Sequence, residues 1–412
     1  MKGNFVFDIF NSIFYPLPSI FYERNTMLKT GLKIIWQYFK KLDKMLFLAV
    51  CGVSAFSVLL MYSTVRNGLV SENHSNMYKI QFVCLCGGAF IALVLSALDY
   101  HKFTKLWFLY APGAIGLTLL TFTSLGYKPD ESVDDAAWIN LGFTTFQPSE
   151  VLKIAFIMTF ALHLSKVGEK INNIGNVALL CLHGAVPTLI VVAQGDDGTA
   201  LIFFFMFVCM IFAAGISWKY ILPCVVAAPI AIWILWDKIM LPHQKLRFLV
   251  LFEEEPMSNP EFAAIAYQQY WGKLALGSGQ LFGKGLFADE YVSVPEMQND
   301  FIFTYVGQCL GFIGCIALVS ALAFICLKIL IDSRIAKDDL GKYMCIGVFS
   351  MMFIHCVLNL GMVLGVLPVI GVPLPFVSQG GSSMASMFVC IGLVMSTYSH
   401  SEKNYRVFYD AN

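Results

Sequence analysis

Charged residues are scarce in this sequence. Only 13% of its 412 residues are Asp, Glu, Lys or Arg, whereas 58% are hydrophobic; soluble globular proteins average about 25% charged residues. Too few polar residues are present to cover a water-exposed surface, which excludes a soluble enzyme, a nucleic-acid-binding protein and a disordered chain. The composition predicts an all-α polytopic membrane protein.

Metal-binding cysteine pairs are also lacking. The 12 Cys lie in or beside apolar runs, where Cys acts as a small hydrophobic residue, and no Cys-x-x-Cys occurs. A cleavable signal is lacking as well: residues 1–44 are aromatic and basic, with no small-residue cleavage site after a short apolar core. We predict no metal or redox chemistry at cysteine, and a cytoplasmic leader at 1–44.

Ten apolar segments approach the ~20 residues that a helix needs to cross a bilayer. They are Met45–Val65, Tyr78–Leu98, Phe103–Leu125, Val151–Leu164, Val177–Ala193, Thr199–Ile216, Tyr220–Trp236, Phe301–Ile331, Tyr343–Leu367 and Met384–Ser399. The fourth is short and is predicted to begin at Pro148, because proline suits the first helical turn. A ten-span membrane domain is therefore predicted over 45–400, with a cytoplasmic tail at 401–412.

Basic residues orient these spans, because Lys and Arg favour the cytoplasmic side. With the N-terminus inside, 18 of the 27 basic residues fall in the inner segments. Both termini are therefore predicted to be cytoplasmic. Two outer loops stand out: Gly126–Gln147, which carries four acidic residues, and the large loop 237–300, whose scattered aromatic residues argue against disorder. The four acidic residues are Asp130, Glu131, Asp134 and Asp135.

The first polar cluster on the predicted outer side is Trp138–Lys153. Glu150 and Lys153 are three residues apart and thus neighbours on a helix, which is consistent with a simple internal ion pair near a helix start. Lys153, however, falls within a predicted span, where a charge costs about 2.5–3.5 kcal/mol on insertion scales. We therefore interpret the pair as functional.

Two further clusters are ambiguous. Gln194–Thr199, which includes Asp196, reads equally well as a tight turn and as a site. Arg247 is followed in the same outer loop by the glycine-rich stretch Gly277–Gly285. Such a stretch can offer backbone N–H groups to phosphate, but is more often merely flexible.

The last two clusters flank the eighth and tenth spans. Asp300 stands directly before a long apolar helix, where it can act as an N-cap, as a general base, or as both. The segment Pro368–Ser383 has too many Pro and Gly residues for a straight span, yet is apolar between them. It is predicted to dip into the membrane where protein buries it, near the polar Asn359.

One arrangement would unite these clusters. Glu150, Lys153, Asp196, Arg247 and Asp300 can gather in an outward-facing cavity, with two basic residues for an anionic headgroup and a carboxylate for proton abstraction. That combination fits group transfer from a lipid pyrophosphate, and it also fits ion-coupled transport.

In this order, the motifs resemble those of the SEDS family of bacterial cell-wall polymerases (shape, elongation, division and sporulation). The motifs that carry the resemblance are Trp138–Lys153, Gln194–Thr199, Asp300–Phe303 and Leu374–Ser382, and it covers about residues 45–400. The stretch from Gly361 through Pro375 looks more like the elongation members (RodA) than the division members (FtsW).

The resemblance implies a peptidoglycan glycosyltransferase that polymerises lipid II, undecaprenyl-pyrophosphate disaccharide-pentapeptide, into β-1,4 glycan strands for cell elongation and shape. Asp300 would be the general base, Lys153 and Arg247 would hold the pyrophosphate, and Glu150 would orient Lys153. Substrate contacts are also expected from the following residues: Gln147, Asp196, Ser378, Gly380 and Gly381.

Partners and location follow from the same resemblance. It implies the bacterial cytoplasmic (inner) membrane, a class B penicillin-binding transpeptidase that cross-links the new strands, and membrane proteins of the elongation complex, with no nucleic acid. No cofactor is certain, and a divalent cation, Mg²⁺ or Mn²⁺, stays open. The alternatives are a lipid II flippase, an FtsW-type division polymerase and a non-catalytic scaffold. A flippase would need polar groups along its whole path, whereas the inner halves of the spans look apolar.

Several positions depart from the family patterns. Ala137 stands where Arg is usual, Gln308 where Glu is usual, and Gln379 where Tyr is usual, and the turn Gln194–Asp197 lacks the family's Pro and Leu. None of these changes removes Glu150, Lys153 or Asp300. They indicate a divergent lineage.

Overall fold

A computed structural model describes residue 38 and residues 40–70, 75–127, 137–140, 142 and 145–401. Met1–Asp43 forms one unit, of which only Tyr38 and residues 40–43 are described, and Lys44–Asn412 forms another. Most of the predicted leader and all but one residue of the predicted tail lie outside the described residues. So do the four acidic residues of the first outer loop.

The described part of the second unit contains thirteen α-helices and three short strands. The helices are α1 Lys44–Arg66, α2 Met77–Ala97, α3 Tyr100–Lys105, α4 Trp107–Leu119, α5 Pro148–Val167, α6 Ile174–Ala193, α7 Asp197–Ala213, α8 Trp218–Ile234, α9 Pro242–Leu249, α10 Pro260–Ser278, α11 Ile302–Ile335, α12 Asp339–Val363 and α13 Gly381–Ser399. The strands β1 Gly126–Tyr127, β2 Trp138–Asn140 and β3 Thr145–Phe146 form one antiparallel sheet.

The ten predicted spans all correspond to helices. Eight helices in the described residues are long and apolar enough to cross a membrane, and two apolar helices are shorter, Trp107–Phe122 and Asp197–Ala213. The third span is shorter than predicted, because the chain breaks near Leu106 into α3 and α4. The fourth begins at Pro148, as predicted.

The helices differ widely in the fraction of their residues that is buried inside the bundle. The most apolar stretch of α12 is 72% buried, whereas that of α8 is 0% buried. A Cβ added at Gly88 or Gly392 would collide with side chains across the α2–α13 contact, so these small residues allow the two helices to approach closely. The protein core therefore surrounds α12, and α8 lies at its edge.

Contacts at the helix ends agree with the alternating topology. At the end predicted to be cytoplasmic, Ser396 on α13 donates to the Leu98 carbonyl at 2.6 Å, and Tyr100 on α3 donates to Asp338 at 2.9 Å. At the opposite end, Asn67, which follows α1, donates to the Leu286 carbonyl of the large outer loop at 3.0 Å. The connections predicted to lie on one side of the membrane thus contact one another.

The large outer loop is folded. It contains α9 and α10, and α10 packs along α11. Gln269 on α10 donates to the carbonyls of Met362 and Leu367 at 2.9 and 2.7 Å, which fixes α10 to the end of α12. The loop therefore forms part of the wall on the outer side of the bundle.

Candidate active site

Glu150 and Lys153 form a buried ion pair in the first turns of α5. Their side chains are only 3% and 1% exposed, and Lys153 Nζ lies 2.9 Å from Glu150 Oε1. Ser386 on α13 donates to Glu150 Oε2 at 2.5 Å, and Lys153 Nζ lies 3.2 Å from His355 Nε2 on α12. Three helices thus surround both charges, which limits the cost of burying them.

Asp300 is half-buried just before α11, and it does not cap that helix. The helix begins at Ile302 without a side-chain cap, and the Asp300 carboxylate accepts no hydrogen bond from the described residues. A Cβ added at Gly371 would lie 3.4 Å from Asp300 Oδ2, so a glycine leaves space beside the carboxylate. The N-cap interpretation of Asp300 is therefore wrong, and its oxygens remain available to a ligand.

Two other acidic residues act on Asp300. Burial, followed by the like charges of Glu296 and Asp196, raises the pKa of Asp300 to about 7. Asp196 itself caps α7 by accepting from the Thr199 N–H at 2.9 Å, and it accepts from Gln147 Nε2 at 2.8 Å. The predicted turn at Gln194–Thr199 is confirmed, because Asp196 starts a helix there. The same carboxylate accepts from Gln147 and acts electrostatically on Asp300, and its place in a substrate site stays a prediction.

The segment after α12 is irregular and buried in protein, as predicted. Ser378 Oγ accepts from the Leu374 N–H at 2.8 Å and donates to the Asn299 carbonyl at 2.7 Å. Gln379 N–H donates to the Gln298 carbonyl at 2.9 Å. Gly380 and Gly381 then lead into α13. Ser378 therefore holds this segment against the residues that precede Asp300.

Arg247 lies on α9, in the large outer loop. One turn earlier on the same helix, Gln244 donates to Asp197 Oδ2 at 2.5 Å, which brings α9 to the start of α7. Arg247 is partly exposed and makes no hydrogen bond or ion pair with the described residues. The guanidinium is thus the predicted basic group that is free to meet an anion in this conformation.

The glycine-rich stretch of the outer loop packs against α11 and does not form an anion cradle. The N–H groups of Lys284 and Gly285 donate to the carbonyls of Gln308 and Cys309 at 2.8 and 2.9 Å. These acceptors lie just before Gly311, where α11 is kinked at φ 65°. The glycines permit close backbone approach, so neither phosphate binding nor simple flexibility describes this stretch.

A pair of alanine substitutions tests that interpretation. A Cβ at Gly283, where φ is +80°, would collide with the Cys309 and Leu310 backbone, whereas a Cβ at Gly285, where φ is +96°, meets open space. Backbone strain of about 1–3 kcal/mol applies to both variants, and only Gly283→Ala adds an overpacking cost of about 1–3 kcal/mol. We expect a larger fall in the thermal unfolding midpoint of detergent-purified protein for Gly283→Ala. Equal midpoints for the two variants would contradict the packing role.

Two residues that depart from the family patterns have defined contacts. Gln308 accepts from the Val292 N–H at 2.8 Å and donates to the Val292 carbonyl at 3.0 Å. A glutamate could not make the second bond, since a carboxylate does not donate. Gln379 bonds through its backbone, as described above. The backbone of the outer loop at Val292 thus satisfies both the donor and the acceptor of the Gln308 amide.

The inner half of the bundle is less apolar than expected. Asp332 on α11 is fully buried and accepts from Lys328 Nζ at 2.5 Å. This pair lies near the opposite end of α11 from Asp300, and buried apolar residues of the same helix lie between, including Leu318, Leu322 and Ile325. The expectation of uniformly apolar inner halves is therefore wrong, but α11 does not line a continuous polar path.

The described residues contain no group of three or more His, Cys, Asp or Glu side chains that could hold a metal ion. The Mg²⁺ or Mn²⁺ ion that the sequence left open has no such ligand set in this part of the chain.

Sequence reasoning missed His355 and Ser386. Both lie in long apolar segments, where a single His or Ser usually serves packing. A sequence signal was nevertheless present for His355, which lies four residues before Asn359 and so on the same face of α12. Ser386 offered no signal beyond its place in the first turns of α13.

Comparisons with known proteins identify the family and the fold to which this chain is similar. A family model described as a cell cycle protein, FTSW_RODA_SPOVE, matches residues 43–403. The peptidoglycan glycosyltransferase MrdB of Escherichia coli K12 is 35% identical over 268 residues, which are 64% of this chain and 70% of MrdB. A probable peptidoglycan glycosyltransferase FtsW of Geobacter metallireducens is 29% identical over 379 residues, which are 90% of this chain and 97% of that protein.

The fold is shared with a chain from a solved peptidoglycan synthase complex, described as coordinating polymerization and crosslinking. The TM-score is 0.71 at 22% identity, and the match covers 87% of this chain and 97% of that chain. The ten-span helical architecture is thus that of a known polytopic membrane protein.

Proposed function

This chain belongs to the FtsW/RodA/SpoVE family, and from that premise we infer that it is a peptidoglycan glycosyltransferase of the bacterial inner membrane. The curated relatives carry that activity in their names, and the identity to MrdB, 35%, exceeds that to FtsW, 29%. A RodA-type role in elongation and shape follows, with the FtsW-type division role as the alternative.

We propose that lipid II is both donor and acceptor. The Asp300 carboxylate takes the proton from the 4-hydroxyl of the acceptor GlcNAc, and that oxygen bonds to the anomeric carbon of the donor MurNAc. The bond from that carbon to the pyrophosphate breaks, undecaprenyl pyrophosphate leaves, and the α linkage inverts to β-1,4. General-base help of this kind contributes about 10²–10⁴-fold to a rate.

The environment of the Asp300 carboxylate, which raises its pKa to about 7, is the single observation that best supports this proposal. That carboxylate is half-buried and accepts no hydrogen bond from the described residues. A base whose pKa lies near the working pH is deprotonated in about half of the molecules and is still strongly basic. A carboxylate with the ordinary pKa of about 4 would be a much weaker base.

Substrate binding is assigned to the residues around this carboxylate. Arg247 offers its free guanidinium to the pyrophosphate. Asp196, at the start of α7, acts electrostatically on Asp300 and accepts from Gln147, the residue before α5. Lys153 is buried and uses two of its three donors on Glu150 and His355, which leaves one N–H for a pyrophosphate oxygen. Ser378, Gly380 and Gly381 complete the proposed wall.

The deciding assay mixes the purified chain with lipid II and follows the formation of glycan strands. We expect polymer from the chain, and more of it in the presence of a class B transpeptidase, the proposed partner. The related fold in a complex that couples polymerization to crosslinking supports this choice of partner. Lipid II transfer between leaflets without polymer, with the partner present, would favour the flippase alternative.

The polymerisation rate is predicted to depend on pH through Asp300. A general base acts only when deprotonated, so the rate should be low below the pKa of Asp300, which is about 7, and reach a plateau above it. Glu296→Gln removes a like charge, so the midpoint of its kcat/KM profile should move to lower pH. A wild-type rate that is unchanged from well below to well above pH 7 would contradict the assignment.

A further inference from the structure

Two polar side chains on α12 face the site from the protein interior. His355 and Asn359 are 1% and 0% exposed, and they lie four residues apart on one face of the helix. Asn359 Nδ2 donates to the Asp300 carbonyl at 2.8 Å and to the Val372 carbonyl at 2.7 Å. His355 contacts Lys153 Nζ at 3.2 Å and the Pro373 carbonyl at 3.3 Å.

The partners of His355 define its protonation. A lysine ammonium can only donate, so Nε2 must accept from Lys153. The Pro373 carbonyl can only accept, so Nδ1 must carry the hydrogen. Both bonds are satisfied by one neutral tautomer, which is inferred from the partners. His355 thus links the buried ion pair to the irregular segment that follows α12.

The hydrogen bonds of Asn359 and His355 reach the carbonyls of two consecutive residues, Val372 and Pro373. Asn359 holds residue 372 and His355 holds residue 373, and the preceding residue, Gly371, lies beside the Asp300 carboxylate. Asn359 also holds the Asp300 backbone itself. The position of the carboxylate, of the wall beside it and of the Glu150–Lys153 pair is therefore set from one face of one helix.

We propose that His355 and Asn359 are positioning residues for glycosyl transfer, which hold Asp300 and the Glu150–Lys153 pair in a fixed relation through the carbonyls of Val372 and Pro373. This role rests on the proposed function. It accounts for two buried polar side chains in the most buried helix of the bundle, where apolar side chains would pack without any need for partners. A catalytic group displaced by about 1 Å can lose about 10²-fold in rate.

Two substitutions at His355 separate its two bonds. In His355→Gln, the amide oxygen can reach the place of Nε2 and accept from Lys153, but the bond to Pro373 is lost. In His355→Asn, the amide nitrogen can take the place of Nδ1 and donate to Pro373, but the bond to Lys153 is lost. If both bonds are needed, each variant should lower kcat by about tenfold to 100-fold with little change in KM.

Asn359 is tested by its isostere and by truncation. Asn359→Asp replaces the donor with an acceptor that faces two carbonyls, and should lose most of kcat. Asn359→Ala frees the Asp300 backbone, so the carboxylate can turn towards water, and the midpoint of the pH–rate profile should fall. A residue needed only for stability would change the yield of folded protein but not this midpoint.

Ser350→Ala is the matched control on the same helix. Ser350 is fully buried, and its hydroxyl donates to the Ile346 carbonyl one turn earlier on α12. We expect normal kcat and an unchanged pH profile for this variant. All rates are taken per mole of monodisperse, membrane-extracted protein, with thermal midpoints measured alongside, and His355→Gln supplies the mildest change if truncations fold poorly.

These experiments distinguish failure of the positioning role of His355 and Asn359 from failure of the proposed glycosyltransferase activity. An active wild type with normal kcat in both His355 variants, and with an unshifted pH midpoint in Asn359→Ala, would overturn the positioning role and leave the glycosyltransferase in place. A wild type that is inactive on lipid II with its transpeptidase partner would overturn the function and the inference together.

Discussion

Asp300→Asn is expected to reduce lipid II polymerisation by about 10²–10⁴-fold, the usual contribution of a general base. The substitution keeps the shape of the side chain and removes its ability to take a proton. Because the Asp300 carboxylate accepts no hydrogen bond from the described residues and does not cap α11, folding should not depend on it. The loss should therefore appear in the rate and not in the amount of protein inserted in the membrane.

The neighbouring Glu296 supplies the control for this experiment. Glu296 is exposed, lies in the same short segment, and accepts from Asn299 Nδ2 at 2.5 Å. Glu296→Gln should remain active and change only the pH midpoint. Strand formation is measured on gels with fluorescent lipid II, and insertion by extraction and size-exclusion profile. A normal polymer yield from Asp300→Asn would exclude Asp300 as the base.

The spans were predictable because the bilayer imposes a length and a composition on each helix. Pro148 marked the start of α5, and the segment Pro368–Ser383 identified itself as irregular through its Pro and Gly content. These are local features, which can be recognised in a short stretch of sequence. The break between α3 and α4 was not predicted, because it depends on contacts of α3 with the distant start of α12, such as that between Tyr100 and Asp338.

The charged members of the candidate site could be proposed from the residues themselves, whereas Gln147, Ser378, Gly380 and Gly381 came only from the family resemblance. Glu150, Lys153, Asp196 and Asp300 stood out because charges are rare in this chain. His355 did not stand out, since its role depends on which face of α12 meets Lys153, and the relation between two helices is set by packing of the whole bundle. The glycine-rich stretch was misread for the same reason: its partner is the backbone near the kink of α11.

The Glu150–Lys153 pair gives the second large effect, because a single neutralisation leaves one charge buried without its partner. Glu150→Gln leaves the Lys153 ammonium buried without its carboxylate, and Lys153→Met leaves the Glu150 carboxylate buried without its ammonium. Removing one partner of a buried ion pair lowers the free energy of unfolding by about 3–5 kcal/mol. We expect each single variant to unfold at a clearly lower temperature in detergent and to make no measurable polymer.

The double variant Glu150→Gln/Lys153→Met separates stability from catalysis. It buries no net charge, so most of the lost stability should return, as it often does when a buried pair is replaced by neutral groups of similar size. Polymerisation should not return, because the proposed reaction needs the ammonium held by Glu150 and His355 beside the substrate.

The inner pair Lys328–Asp332 provides the matched comparison for this cycle. Its carboxylate is also fully buried, its ammonium side chain is 13% exposed, and both lie on one helix, at the opposite end of α11 from Asp300. Lys328→Met/Asp332→Asn should therefore recover both stability and activity. If the double variant at Glu150 and Lys153 polymerised lipid II as fast as the wild type, the outer pair would serve the fold alone. Activity would then depend on Asp300 and Arg247 without help from a charge at membrane depth.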